Sequence, residues 1–246
     1  MTCVVQRAPR GVTGGLPLGS IGGVRLVVGS SWLLVLPVVA LGMFAAIDPA
    51  SGSMASRVLV GAVGSLLLSV SVVVHELGHA FVARRHGIDV ERVIVFILGG
   101  YSEMNLDTAR PEQEWMVAVA GPVSSGLLGA ALAAGAIVAP ATGGLDSTLV
   151  LLAVANGGVA AFNLLPAFPL DGGRMLRSAL VRRGRSPLLA ERTATMTGII
   201  LGGAIALGGV VMSLLGAATS LLVVPGGLLV LTLATWSLPK TAAEEI

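Results

Sequence analysis

Six stretches of the chain, at about residues 26–46, 57–81, 115–139, 148–165, 194–215 and 217–238, are apolar almost without a break. Each is near the ~20 residues a helix needs to cross a hydrocarbon core of ~30 Å. Their continuity, in place of the alternation of a barrel strand, predicts helices. Charged residues make up only 11% of the chain, against the ~25% usual in soluble domains, and mean hydropathy is +0.92. The expected fold is an all-α membrane protein: a polytopic bundle of about six transmembrane helices in the lipid bilayer, with a small membrane-associated β segment.

The formal charge of +2 and the pI near 9.3 act first as topology signals, and nothing argues for nucleic-acid binding. With the N-terminus inside, every Lys and Arg except Arg57 falls on the cytoplasmic side, as do both termini and the loops 82–114 and 171–193. This predicts a multi-pass protein of the cell membrane. The dominance of arginine over one lysine, Lys240, points to a GC-rich prokaryotic genome and hence a plasma membrane. The single cysteine, Cys3, excludes a disulfide framework or a cysteine-rich zinc site. The first 25 residues lack the order of a signal peptide, so no cleaved leader is expected. No stretch outside the spans reaches the ~50 residues of a second folded domain. One membrane domain over 1–246 is expected.

The segment Asp89 to Leu98 is β-branched and too short to cross a bilayer, so it reads as a strand ending in a turn at Gly99-Gly100. Its backbone groups need partners, either in the glycine-rich stretch Gly11 to Val27 or in another chain added at an open edge. Pro166 and Pro169 are expected to stop the fourth span before Asp171.

The second span ends in His75-Glu76-Leu77-Gly78-His79. Histidines four apart on a helix share one face and can grip a single tetrahedral zinc ion. Glu76, on the same turn, is placed to take a proton from water that the metal has acidified. Ionisable groups inside a span mark functional sites by default. A third protein ligand is still needed. His86 does not fit the HExxHxxGxxH register, which puts its last histidine at position 85 and a glycine at 82, where this chain has Arg85 and Val82. Glu103, in a predicted turn, and Asp171, just past the proline-broken end of the fourth span, both remain candidates. Asp171-Gly-Gly also suits a turn or a helix cap.

The pair HELGHA (75–80) and NLLPAFPLDGGR (163–174) resembles the site-2 protease family of intramembrane zinc metalloproteases, peptidase family M50. The resemblance extends over roughly residues 15–180 and implies a catalytic core at about 57–180. It takes in VFILGG (95–100) as the family's glycine-ended sheet segment, Ala120-Gly121-Pro122 as its AGP motif, and Ser31-Trp32-Leu33-Leu34 in the first span. It implies one zinc ion held by His75, His79 and Asp171, with Glu76 as base. It further implies Asn163 as a group that holds substrate or polarises the scissile carbonyl, and Asn156 as a second family asparagine near substrate. The implied partner is a transmembrane protein substrate, with an accessory regulator possible. Because a helical substrate has its carbonyls already bonded, the edge of strand 93–98 is expected to hold an extended stretch by β-addition, with Gly99 and Gly100 allowing close backbone approach. Other glycines, such as Gly121, Gly126 and Gly129, are expected to serve close packing. No PDZ-like insertion separates the two motifs and no CBS pair follows the last span, so a minimal enzyme is expected. Three rival readings are a zinc protease using Glu103 on exposed segments, a metal-binding transporter, and an inactive homologue that binds transmembrane helices.

Overall fold

The protein is represented by a computed structural model that describes residues 15–47, 53–96, 99–106, 109–139, 145–216 and 220–238. In chain order the elements are β1 (Gly15–Ile21), β2 (Val24–Gly29), α1 (Trp32–Ala46), α2 (Met54–Arg85), β3 (Val90–Phe96), β4 (Gly99–Met104), α3 (Pro111–Val138), α4 (Leu145–Asn163), α5 (Asp171–Arg182), α6 (Pro187–Leu214) and α7 (Ser220–Trp236).

Each of the six apolar runs contains a helix among its described residues. Four of them, α2, α3, α4 and α6, are long and apolar enough to cross a membrane. The 15 residues of α1 span only about 22 Å, so the expected count of six is approximate. The first helix starts later than residue 26 because Val24–Gly29 is β-branched and pairs as β2. Leu33, Leu34, Val38 and Leu41 of α1 are exposed, as suits side chains that meet lipid.

The chain falls into two compact units. One holds the described residues up to Ala109 together with Ala120–Ala161. In it the strands form one sheet in the order β1-β2-β3-β4. A Gly22-Gly23 turn with positive φ at both residues joins β1 to β2, the geometry that a two-residue hairpin requires. Arg84, in the last turn of α2, donates to Gly22 O. β2 and β3 pair in parallel, Leu26 opposite Val93, so α1 and α2 form the crossover between them. β3 and β4 then pair antiparallel, Val93 opposite Ser102. The expected partner for β3 is therefore found in the part of Gly11–Val27 that is described.

Two local expectations are corrected. Gly99 and Gly100 begin β4 and are not merely a turn. Strand 93–98, as far as Phe96, is an inner strand with neighbours on both sides. It has no free edge to offer, and among the described residues the edges are β1 and β4.

The sheet sits on the second half of α2 through buried Val24, Leu26, Ala80 and Val93, flanked by Val73, Leu77 and Val90. α1 packs on the first half, where Gly61 and Gly64 admit Ala40, Phe44 and Met43. In the same unit Gly78 admits Ala120 O and Ser124, and Gly129 admits Ala153 O. Small residues let helix backbones approach where lipid supplies no hydrophobic drive.

The other unit holds Arg110–Val119 and the described residues from Phe162 onward. There α6 and α7 meet through Gly202, Ala206, Gly209 and Gly227, whose backbones touch directly. Buried Ala167, Leu170 and Val230 form its apolar cluster. The loop predicted at 171–193 contains α5, which Arg177 ties to Glu114 and Glu191, and Arg182 to Glu112.

Candidate metal centre and active site

His75, Glu76 and His79 lie in the C-terminal half of α2 and are only 4%, 7% and 4% exposed. The apolar run from Leu66 to Val74 carries the helix up to them, and Arg84, Arg85 and a positive-φ Gly87 end it beyond them. The i, i+4 spacing brings the two imidazoles together: their Nε2 atoms are 3.2 Å apart, with the ring planes at 81°. Two nitrogens bound to one tetrahedral zinc at ~2.0–2.1 Å stand about 3.3 Å apart, so this separation suits a shared ion. His75 Nδ1 lies 2.9 Å from the hydroxyl of Ser125, which is wholly buried. With Nδ1–H donating there, Nε2 is left as the lone-pair nitrogen.

Gly121 makes room for this pair. A Cβ there would stand 2.5 Å from His79 Cε1 and 2.7 Å from His75 Nε2. The close approach expected at Gly121 exists, but the approaching groups are the two imidazoles. Gly126, by contrast, has nothing within 4 Å of such a Cβ, and the expected packing role is not found there.

Asp171 is 6% exposed and is the first residue of α5. α4 ends at Asn163 and the chain turns through Pro166 and Pro169 before α5 begins. Gly172 and Gly173 then let the first turn of α5 rest on the backbone of Leu164, Leu165, Ala167 and Phe168, where any Cβ would collide. The Asp-Gly-Gly signal, equally suited to a loop, is the start of a helix.

One ligand-type atom from each of His75, His79 and Asp171 lies within 4.8 Å of the others, and all three residues are buried. Two imidazoles and one carboxylate are a donor set used by catalytic zinc, which takes three protein ligands and keeps a further position open. The residues fit the ion.

Glu76 is held from the sheet. Ser102 Oγ is 2.6 Å from Glu76 Oε2. A Cβ on Gly100 would lie 2.5 Å from Glu76 Oε1, so β4 passes directly against the carboxylate. Glu103 faces the other way, as strand alternation requires, and its carboxylate accepts from Arg92 Nε. That bond raises the Arg92 pKa above its ordinary value. Glu103 is thus engaged at the far side of the strand, against the reading that made it a ligand.

Asn156 is fully buried and donates from Nδ2 to Ser71 Oγ at 3.1 Å and to Leu152 O at 2.8 Å. It braces α4 against α2 one turn before His75. Asn163 is the half-buried last residue of α4. Sequence reasoning missed Ser102 and Ser125. Serine is too common near membrane helices to signal either, although a serine two residues from Gly100 on a strand shares its face.

The sequence profile described as "Peptidase family M50" matches residues 63–141 and 135–207. The chain belongs to this family. Among curated relatives, it is 37% identical over 166 residues to a putative zinc metalloprotease of Synechocystis, covering 65% of this chain and 43% of that protein. It is 34% identical over 198 residues to the putative zinc metalloprotease Rip3 of Mycobacterium tuberculosis, covering 76% of this chain and 50% of that protein. The chain thus spans about half the length of these curated relatives. Among solved structures it is similar to the site-2 protease from Methanocaldococcus jannaschii, with a TM-score of 0.61 and 27% identity over 93% of this chain and 97% of that one. Both the fold and the recognised motifs are those of a membrane member of M50.

Proposed function

We propose that the chain is an intramembrane zinc metalloprotease that hydrolyses a peptide bond in or beside a transmembrane segment of a membrane-anchored protein, in regulated intramembrane proteolysis. The convergence of buried His75, His79 and Asp171 next to a buried glutamate carries this reading. His75, His79 and Asp171 would hold a zinc ion, which would supply the Lewis acidity to acidify water and polarise a carbonyl. Glu76 takes the proton from the attacking water and returns it to the leaving amine. Burial of all four side chains keeps bulk water from competing for them.

An extended substrate stretch adds to the outer edge of β4, not to strand 93–98, and Gly99 and Gly100 at its start leave room for that backbone. Asn163 faces the scissile carbonyl as a hydrogen-bond donor. Asn156 serves substrate from the helix brace, through the α2 turn that precedes His75. The protein works in the plasma membrane with both termini in the cytoplasm, and an accessory regulator controls access.

The test uses a single-span reporter whose apolar segment is interrupted by Asn-Gly, purified in detergent, with cleavage read by mass spectrometry. The parent is expected to cleave it and to hold near one zinc per chain. Glu76→Gln should keep the zinc and lose cleavage, and Asp171→Ala should lose both. Cleavage by Glu76→Gln would refute the mechanism. Zinc retained by Asp171→Ala would refute the ligand set. Metal transport that survives Glu76→Gln, with no cleavage by the parent, would favour a carrier.

A further inference from the structure

The base of a hydrolytic site is useful only when its carboxylate points at the reacting water, and a glutamate with three rotatable bonds does not hold that direction alone. In this protein the support comes from the strand on which substrate is read to dock. Gly100, Ser102 and Met104 share one face of β4. Gly100 lies against Glu76 without a side chain, and Ser102 reaches its Oε2. Ser102 is 6% exposed, so water does not compete for the hydroxyl. Its oxygen also lies 3.3 Å from Glu76 O, but one proton serves one acceptor well, and the 2.6 Å approach to the carboxylate is the stronger bond. Oε1 is left on the side of Gly100, which brings no side chain against it.

We propose that Ser102 is a positioning residue for the general base, and that through it β4 joins substrate docking to proton transfer. By donating to Oε2, Ser102 fixes the Glu76 carboxylate in one orientation and leaves Oε1 to take the proton of the attacking water. A peptide added at the outer edge of β4 fixes the strand that carries Ser102. Docking and alignment of the base thereby become one event. The inference rests on the reading of Glu76 as base.

The experiment compares Ser102→Ala and Ser102→Thr with the parent in detergent, using the Asn-Gly reporter and measuring kcat and KM separately, zinc per chain and thermal midpoint. A hydrogen bond to a charged group sets the scale at roughly 10- to 100-fold. Ser102→Ala is expected to lower kcat by that factor, with KM within about threefold of the parent and zinc near one per chain. Ser102→Thr, which restores a hydroxyl, is expected to recover most of kcat. An unchanged kcat in Ser102→Ala, a loss carried by KM or by zinc, or no recovery with threonine overturns the proposal. Should the alanine variant not fold, Ser102→Cys, with a far weaker donor of similar shape, must show the same fall in kcat. Glu76→Gln separates the two levels: if it is inactive while Ser102→Ala matches the parent, only the Ser102 inference fails, whereas an active Glu76→Gln removes the reading beneath it.

Discussion

Gly121→Ala adds one methyl group at the mouth of the metal centre. Its Cβ would stand 2.5 Å from His79 Cε1 and 2.7 Å from His75 Nε2, where ordinary contact begins at 3.4 Å. His79 Nε2 stands nearer still, so one ring or the helix must shift by about 0.9 Å or more, whereas a metal site tolerates roughly 0.2 Å in its ligand distances. His75 cannot swing freely without losing Ser125. Overpacking of this kind costs about 1–3 kcal/mol, and if it falls on the loaded state it weakens zinc by roughly 5- to 150-fold. The assay is competition for zinc with a chelator of known affinity in detergent, with thermal unfolding in parallel. Gly126→Ala, on the same helix with nothing within 4 Å, is the matched control and should be neutral or stabilising by up to ~1 kcal/mol. A folded Gly121→Ala protein that holds zinc within about twofold of the parent would refute the argument that position 121 is kept empty for the imidazoles.

Ser125→Ala should weaken zinc by roughly 10- to 100-fold through loss of the partner of His75 Nδ1, measured by the same competition; an unchanged affinity would mean that the bond orients nothing. Glu103→Ala should leave zinc content and cleavage at parental levels and cost at most ~1 kcal/mol of stability, because its carboxylate serves Arg92 near the surface. Asn156→Leu should lower unfolding stability by about 0.6–1.7 kcal/mol, the range for hydrogen bonds between membrane helices, with zinc retained; loss of zinc would give it a role at the metal. Treatment with 1,10-phenanthroline should abolish reporter cleavage, and added zinc should restore it.

The helical membrane class was legible because apolar runs of ~20 residues have few other uses, and His75, Glu76 and His79 because a period of four on a helix fixes which side chains meet. Asp171 was reached through family likeness, since Asp-Gly-Gly serves a cap, a turn or a ligand equally well. The error over strand 93–98 has a definite source. Pattern shows that Val93 to Phe96 pairs, but not with how many neighbours. One neighbour, β2, was anticipated in Gly11–Val27, but Gly99-Gly100 read as a turn alone and so hid the second, β4. Ser102 was hidden for the same reason: its role exists only because β4 lies against α2. α5 went unread because Gly172 and Gly173, poor helix formers, open it to satisfy packing rather than propensity.

The parallel pairing of β2 with β3 has a consequence for biosynthesis. Antiparallel neighbours can zip as they leave the ribosome, but β2 must wait until α1 and α2 have been made and β3 has followed. The HExxH helix therefore enters the bilayer before the strand that steadies its glutamate exists. A nascent chain halted before residue 99 carries the histidines without β4, and so without Ser102. On this order of assembly, the proposed site stays incomplete until β4 has closed on α2 and Asp171, at the start of α5, has followed. Arrested chains of increasing length, assayed for reporter cleavage while still tethered, should stay silent through that point.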